Sequence, residues 1–484
     1  MIRSTTIADN ILGVSLVTVR HLVLPALFLL LLLFILPVPA LAGSISSGKI
    51  VKNDGHSMIA VSDGYIVAGK VEYEFGSVLY LLKTDLNGSE VWSKTYGEYT
   101  PFGEVFGLAA VPDGYVISGT TIFENGTGFY LFKTDLNGNS SWLKTFGEPD
   151  RFVYPSTMIS TDNGLVLTGS AYPFPRHEDT FFAFGSLSRS FLSGIDKDGN
   201  VRWYQTYDGS GEDCGNAVVA IQDGYLVAGT SVVMDLGRSV SFLVKTDPNG
   251  RQIWKRDYGG SVDRGEAVVP ASDGYLLAGD SGYGYLPKEF IKVSLLKTDL
   301  SGNKTWERNY LTGPGGDVVK FTMEATDGYL IVGTSAISSD RNDHSTMLYL
   351  LKTDLNGNQA WNKTYPGSSL KNPGAVISLS DGYLIAGPAN MQGYWQGYDR
   401  KGLIGPHLLK IDLDGNVLWE KTYDNLITRE KPVGLHPSPK SMSASPIPLD
   451  TASPAPGIPT ILSLIAVWIA AMLISIRISS GKRR

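Results

Sequence analysis

Seven tryptophans each stand seven residues after an aspartate, and this spacing divides the chain into seven copies of one unit. The pairs are Asp85/Trp92, Asp135/Trp142, Asp196/Trp203, Asp247/Trp254, Asp299/Trp306, Asp354/Trp361 and Asp412/Trp419. A glycine follows each aspartate by three positions, from Gly88 and Gly138 through to Gly415. Upstream, an Asp-Gly-Tyr or a close variant carries a second glycine five residues on, as in Gly64/Gly69, Gly224/Gly229 and Gly382/Gly387. Self-similarity at a period of about fifty residues marks a repeat architecture, in which one unit cannot bury its own faces and must stack on its neighbours.

Each copy reads as four short strands. In the fourth, the pattern predicts strands over Asn216–Ile221, Tyr225–Thr230, Val240–Thr246 and Gln252–Tyr258. Asp223-Gly224 makes the first turn, and Pro248-Asn249-Gly250 joins the last two strands. Asn-Gly or Asp-Gly between apolar runs is a strong hairpin signal, because the turn needs positive φ. No helical period runs through the copies. The expected fold is all-β: one seven-bladed β-propeller of four-stranded antiparallel blades within residues 43–424.

On this reading Trp92, Trp142, Trp203, Trp254, Trp306, Trp361 and Trp419 fall on the outermost strands, one per blade, and dock against the next blade. The Asp, Gly and docking Trp in a tight hairpin resemble the blade motif of quinoprotein-like propellers of the pyrroloquinoline quinone type. That resemblance implies the blade pattern only. The family's cofactor apparatus includes a vicinal disulfide, and this chain has a single cysteine, Cys214. Quinone chemistry is therefore not carried over, and neither a cofactor nor a metal is expected. The wording "DGYLVAGT", "KTDLNGN" and "W.KTY" is similar to that of repeat propellers of the prokaryotic cell surface.

The two ends set the expected location. Leu22–Leu36 is almost purely apolar, follows basic residues, and leads to Ala40-Leu41-Ala42, so residues 1–42 read as a secretory signal, with an uncleaved anchor as the alternative. Thr460–Ile476 is a continuous apolar run within the range of a membrane-spanning helix, and residues 477–484 are a basic tail. Basic residues stay cytoplasmic, which puts the propeller outside a single-pass membrane protein. Between them, residues 425–459 are rich in Pro and Ser and read as an extended stem. Five sequons, at Asn87, Asn125, Asn139, Asn303 and Asn362, fit an extracellular glycoprotein. A formal net charge of −6 argues against nucleic acid as a partner.

Function is expected on the face with the variable loops. The Asp-Gly and Asn-Gly turns are short and alike in every copy. The opposite connections are not: glycine to tryptophan takes 28 residues from Gly64 to Trp92 and 39 from Gly164 to Trp203. Variable loops on a rigid scaffold carry binding chemistry. The candidate ligand-binding residues are Tyr172, Arg176 and His177 in copy three, Asp340, Arg341 and His344 in copy six, and Tyr394, Trp395, Tyr398 and Arg400 in copy seven. Aromatic rings mixed with charge suit a carbohydrate or a polypeptide; the alternative is that the rings close their own loops. Asp54, Glu104, Asp213, Asp263 and Asp317 precede the innermost strands, either as a partial carboxylate ring at the channel mouth or, more simply, as acceptors for backbone N–H groups. No nucleophile elbow or paired metal-ligating histidine occurs, so catalysis has little support. The expectation is a tethered binding or structural protein, with a surface carbohydrate-active hydrolase or lyase as the alternative.

Overall fold

The structure, a computed structural model, describes residues 50–73, 76–100, 102–123, 126–147, 151–173, 188–207, 211–233, 238–259, 262–282, 291–311, 316–325, 327–337, 346–368, 370, 372–388, 405–423 and 445–446. The chain divides into two compact units, Met1–Gly48, which lies outside the described residues, and Lys49–Arg484. The second unit is built of repeated four-stranded antiparallel sheets.

The first sheet contains β1 (Ile50–Val61), β2 (Gly64–Tyr73), β3 (Gly76–Thr84) and β4 (Glu90–Thr100). Next come β5 (Phe102–Val111), β6 (Gly114–Phe123), β7 (Gly126–Thr134) and β8 (Ser140–Gly147), then β9 (Arg151–Thr161), β10 (Gly164–Pro173), β11 (Arg189–Ile195) and β12 (Val201–Tyr207). The following sheets are β13 (Glu212–Ile221), β14 (Gly224–Val233), β15 (Arg238–Thr246) and β16 (Gln252–Tyr258); and β17 (Arg264–Ala271), β18 (Gly274–Ser281), β19 (Lys292–Thr298) and β20 (Lys304–Tyr310). The last are β21 (Asp317–Ala325), β22 (Gly328–Ala336), β23 (Thr346–Asp354) and β24 (Gln359–Tyr365); and β25 (Ala375–Leu379), β26 (Gly382–Pro388), β27 (Pro406–Ile411) and β28 (Val417–Thr422). A single parallel bridge, Thr127 to Phe152, links the second and third sheets. β29 (Ser445–Pro446) adds in parallel to the outer edge of β8. It comes from the stretch expected to be an extended stem; the rest of that stretch, the leader, the apolar segment and the tail lie outside the described residues.

Within each sheet the strands pair in chain order. The first strands of successive sheets touch one another, from β1 to β5 and onward to β25, and β25 meets β1 again. The first strands therefore line an axis, and the sheets form a β-propeller. The strands run further than the sequence pattern predicts on one side. In the fourth copy the first begins at Glu212 and the second ends at Val233, because the ladder continues past the Gly215/Gly229 pair.

The core lies between sheets, not within them. Tyr115 and Ile117 pack with Ile66, Leu79 and Leu81 of the sheet before. The last sheet closes on the first: Leu384, Leu408 and Tyr423 share a cluster with Tyr65, Val67 and Tyr80. A four-stranded blade is apolar on both faces, so each face needs a neighbour. The tryptophans serve the same contact farther out. Gly138 turns the β7–β8 hairpin at φ 76°, and a Cβ there would lie 2.9 Å from the Trp92 ring of the preceding sheet. The same approach joins Trp419 to Gly88 across the closure.

Candidate functional site

The two faces of the propeller differ in how their polar groups are used. On the short-turn face each repeat aspartate is consumed by its own hairpin. Asp85 Oδ1 accepts the backbone N–H groups of Asn87 at 2.9 Å and Ser89 at 2.7 Å, and Asp247 does the same for Asn249 and Arg251. Hydrogen bonds from Asn303 hold the Asp299 carboxyl below the usual carboxylate range. These turns look like fragments of calcium loops in sequence, yet a carboxylate occupied by two or three N–H groups is already satisfied.

The aspartate of the Asp-Gly turn is likewise paired. Asp63 accepts from Lys83 at 2.7 Å, Asp113 from Lys133 at 2.6 Å and Asp381 from Lys410 at 2.7 Å, each pair bridging neighbouring hairpins of one sheet. The tyrosine after the turn reaches back toward the preceding sheet's pair. Tyr115 lies close enough to Lys83 and Asp63 to feel both charges, Tyr65 feels Lys410 and Asp381, and Lys245, paired with Asp223 at 2.9 Å, lies beside Tyr275. A second tyrosine, at the end of the fourth strand, latches onto the next sheet. Tyr96 donates to the Gly138 carbonyl at 2.6 Å, Tyr258 to Gly302 at 2.8 Å and Tyr423 to Gly88 at 2.6 Å. The sequence reading credited the tryptophans alone with this work. That tyrosine stands four residues after the tryptophan in six of the seven copies, a spacing legible in the sequence, and its partner carbonyl is not.

Four sequons fall on described residues. Asn87, Asn139 and Asn303 sit in the hairpin turns and Asn362 is exposed on β24; Asn125 lies outside the described residues. The side-chain amides of Asn139 and Asn303 donate to Asp135 at 2.7 Å and Asp299 at 2.9 Å.

On the variable face, Arg176, His177, Asp340, Arg341, His344, Tyr394, Trp395, Tyr398 and Arg400 lie outside the described residues. Tyr172 is described, and it does not stand alone. It pairs with Phe152 across β9 and β10, on the side of the sheet that faces β13. Its ring meets Tyr154 edge-on at 6.0 Å, and Tyr154 stacks near Phe152 at 6.2 Å. The Tyr172 hydroxyl lies 3.3 Å from Cys214 Sγ, and burial with Cys214 beside it holds the phenol well above its ordinary value. Tyr154 is 42% exposed, so one ring of the group is open to solvent.

Among the described residues, the acidic side chains before the first strands do not form an open ring. Asp213 is fully buried and pairs with Lys255 at 2.9 Å, and burial raises its carboxyl despite that cation. Asp317 is also fully buried. Asp263 accepts the Gly282 N–H at 2.6 Å, and Glu104 lies 3.5 Å from Lys70 of the preceding sheet. Of Asp54 only the backbone is described. Among the described residues no group of three His, Cys, Asp or Glu is placed to hold a metal.

One strongly perturbed carboxyl was not singled out by the sequence. Asp280 is the last residue but one of the second strand of its sheet, where other copies carry Thr230 or Thr334. It is fully buried; one carboxylate oxygen accepts the Val319 N–H at 2.7 Å, and the other has no hydrogen-bond partner. Burial pushes its carboxyl up to about 7; Glu266 adds to the rise, and Arg264 and Lys320 oppose it.

No family model matches the chain, and no curated protein matches it. Among solved structures it is similar to a putative 6-phosphogluconolactonase from Bacteroides fragilis, at 10% identity and TM-score 0.44, over 79% of this chain and 97% of that one. It is also similar to an acylaminoacyl peptidase from Pyrococcus horikoshii, at 12% identity and TM-score 0.44, over 77% of this chain and 53% of the peptidase. A third likeness is to the hemagglutinin-neuraminidase ectodomain of parainfluenza virus 5, at 8% identity and TM-score 0.37, over 76% and 84% of the two chains. No activity is carried over from any of them.

Proposed function

We propose that the chain is a membrane-tethered, extracellular binding protein: a seven-bladed propeller of quinoprotein-like blade pattern that holds a carbohydrate or protein ligand on its variable face. The seven Asp–Trp pairs support the blade count, and the apolar runs Leu22–Leu36 and Thr460–Ile476 support export and a single anchor with a cytoplasmic basic tail. Residues 1–42 then serve as the leader, 43–424 as the head, 425–459 as the stem and 460–476 as the span.

The observation that carries the binding role is the contrast between faces. The repeat aspartates of the short turns are spent on their own hairpins, whereas the variable side opens with the Phe152–Tyr154–Tyr172 aromatic group and an exposed Tyr154. Flat rings supply contact area at low entropic cost, and charged loops nearby fix orientation. The test is a glycan and protein-partner array with the full-length chain, followed by affinity measurements on variants. Tyr154→Ala and the pair Trp395→Ala/Tyr398→Ala should each weaken any captured ligand, by about 2 kcal/mol if they act as anchors. Asp-for-Asn exchanges at Asn249 or Asn356 should leave affinity alone. Loss confined to the turn variants would place the ligand on the other face and sink the reading.

A further inference from the structure

The third repeat and its neighbour depart from the others at several positions, and three of the departures, Asp162, Leu165 and Lys197, line one space. The third copy has Leu165 where the other six have a tyrosine after the turn: Tyr65, Tyr115, Tyr225, Tyr275, Tyr329 and Tyr383. Those six rings are buried against the preceding sheet. Leu165 is buried there too, in the cluster it shares with Val116 and Trp142, but it ends short of the Lys133–Asp113 pair that a tyrosine would reach. The same interface lacks its second tyrosine, because Phe146 stands where Tyr96 and Tyr258 latch onto the next sheet. Within the third sheet, Asn163 and Gly194 replace the aspartate and lysine of the usual pair, and Tyr225 of the following sheet lies beside Thr161 instead.

Between the second and third sheets, on the short-turn face, lies a cavity of about 380 Å³. That is the size of a small-ligand pocket. Val116, Leu165 and the Trp142 ring form its apolar wall, and the Lys133–Asp113 pair stands at the polar end. Its rim carries Asp162, Lys197 and Asp198. Two of these are further departures: other copies have an uncharged residue at the position of Asp162 and a leucine or proline at that of Lys197. Asp196, also in the wall, is consumed by its own turn, where it accepts the N–H groups of Asp198 and Asn200. The charges left for a ligand are thus two carboxylates and one ammonium.

We propose that this cavity binds a small phenol bearing an alkylammonium group. Its ring occupies the apolar wall where the other interfaces place their own tyrosine, and its hydroxyl meets Lys133 as Tyr275 meets Lys245. The ammonium sits at the acidic rim beside Asp162. No bond is made or broken. The site is separate from the ligand face proposed above, so either can fail without the other.

The test uses the full-length chain and three probes of one shape: tyramine, p-cresol and 4-hydroxyphenylacetate. Titration by calorimetry and ligand-observed NMR should give saturable tyramine binding at about millimolar affinity or tighter, as a molecule of this size allows. p-Cresol should bind more weakly, and 4-hydroxyphenylacetate most weakly. Leu165→Tyr supplies the missing ring from within and should abolish tyramine binding without lowering the melting temperature. Asp162→Asn, an exposed change that leaves the fold alone, should weaken tyramine roughly fivefold and leave p-cresol unchanged. Absence of saturable tyramine binding by the folded wild-type chain overturns the site. Wild-type tyramine affinity in Leu165→Tyr overturns its location. An unchanged tyramine affinity in Asp162→Asn, or equal binding of the acid and the amine, overturns the charged half of the ligand.

Discussion

Asp280 offers the sharpest quantitative test of the electrostatics between sheets. Its carboxyl is fully buried, with one oxygen on the Val319 N–H and the other without a partner. Burial moves it from 3.8 to about 7. A carboxyl raised on folding holds its proton more tightly in the native state than in the unfolded chain. Its contribution is therefore best below pH 4, deteriorates as pH climbs toward 7, and is level above that. At 1.36 kcal/mol per decade, the full penalty is about 4 kcal/mol, of which about 3 kcal/mol accrues between pH 5 and pH 8. Asp280→Asn keeps an oxygen for Val319 and removes the titration. Denaturant unfolding of both proteins at pH 5 and pH 8 isolates the term, since every other titrating group cancels in the difference. The variant should gain about 3 kcal/mol on wild type as pH rises from 5 to 8, an advantage that grows up to about pH 7 and then levels. A stability difference that is the same at both pH values would refute the buried, ionising Asp280. The residue's lack of exposure also separates it from catalysis: a value near neutrality suits a general acid, but no substrate reaches a group enclosed between sheets.

Other outcomes follow from the contacts between sheets. Trp254→Ala should cost about 3 kcal/mol in thermal or chemical unfolding, at the low end for this truncation because the ring is only half-buried. Tyr258→Phe should cost about 1 kcal/mol by removing the bond to Gly302, whereas Phe146→Tyr should match or exceed wild-type stability by adding that bond where the second sheet lacks it. Protease added to intact cells should release the head by cutting within 425–459, and cleavage only after lysis would overturn the extracellular placement.

The architecture was legible because its signals are local and repeated. Alternating apolar runs, Asn-Gly turns and a tryptophan at fixed distance recur in copy after copy, so an error in one is corrected by the rest. The strand ends were less legible. β13 begins four residues earlier than the pattern predicts, since Glu212 and Asp213 are polar and only the ladder to Ser231 and Val232 draws them in. Side-chain partners distant in sequence were not legible at all. Nothing local to Asp213 announces Lys255, which lies 42 residues away, and nothing near Asp280 announces the Val319 N–H, 39 residues on. The binding face was read from loop length and composition, and of its ten candidates Tyr172 alone is among the described residues; its partners Phe152 and Tyr154 sit inside a strand, where an aromatic in sequence looks like core.

A repeat chain also contains its own controls. Where six of the seven copies agree, the shared residue meets a demand common to those interfaces, as Tyr96, Tyr258 and Tyr423 do by bonding the next sheet's turn carbonyl. Where one copy breaks the rule at a single position, drift is a sufficient explanation, because one lost hydrogen bond costs only about 1 kcal/mol. The third copy and its neighbour break it at Phe146, Asn163, Leu165, Gly194 and Lys197. Scattered drift would spread such losses around the ring. Here the exchanges at 146 and 165 strip hydroxyls from one interface, and that interface holds the cavity. Each loss weakens the contact between two sheets, and the added charges at Asp162 and Lys197 do nothing to restore it. A scaffold that gives up contact energy at one joint and decorates the gap with charge is better explained by an occupant of that gap than by relaxed packing.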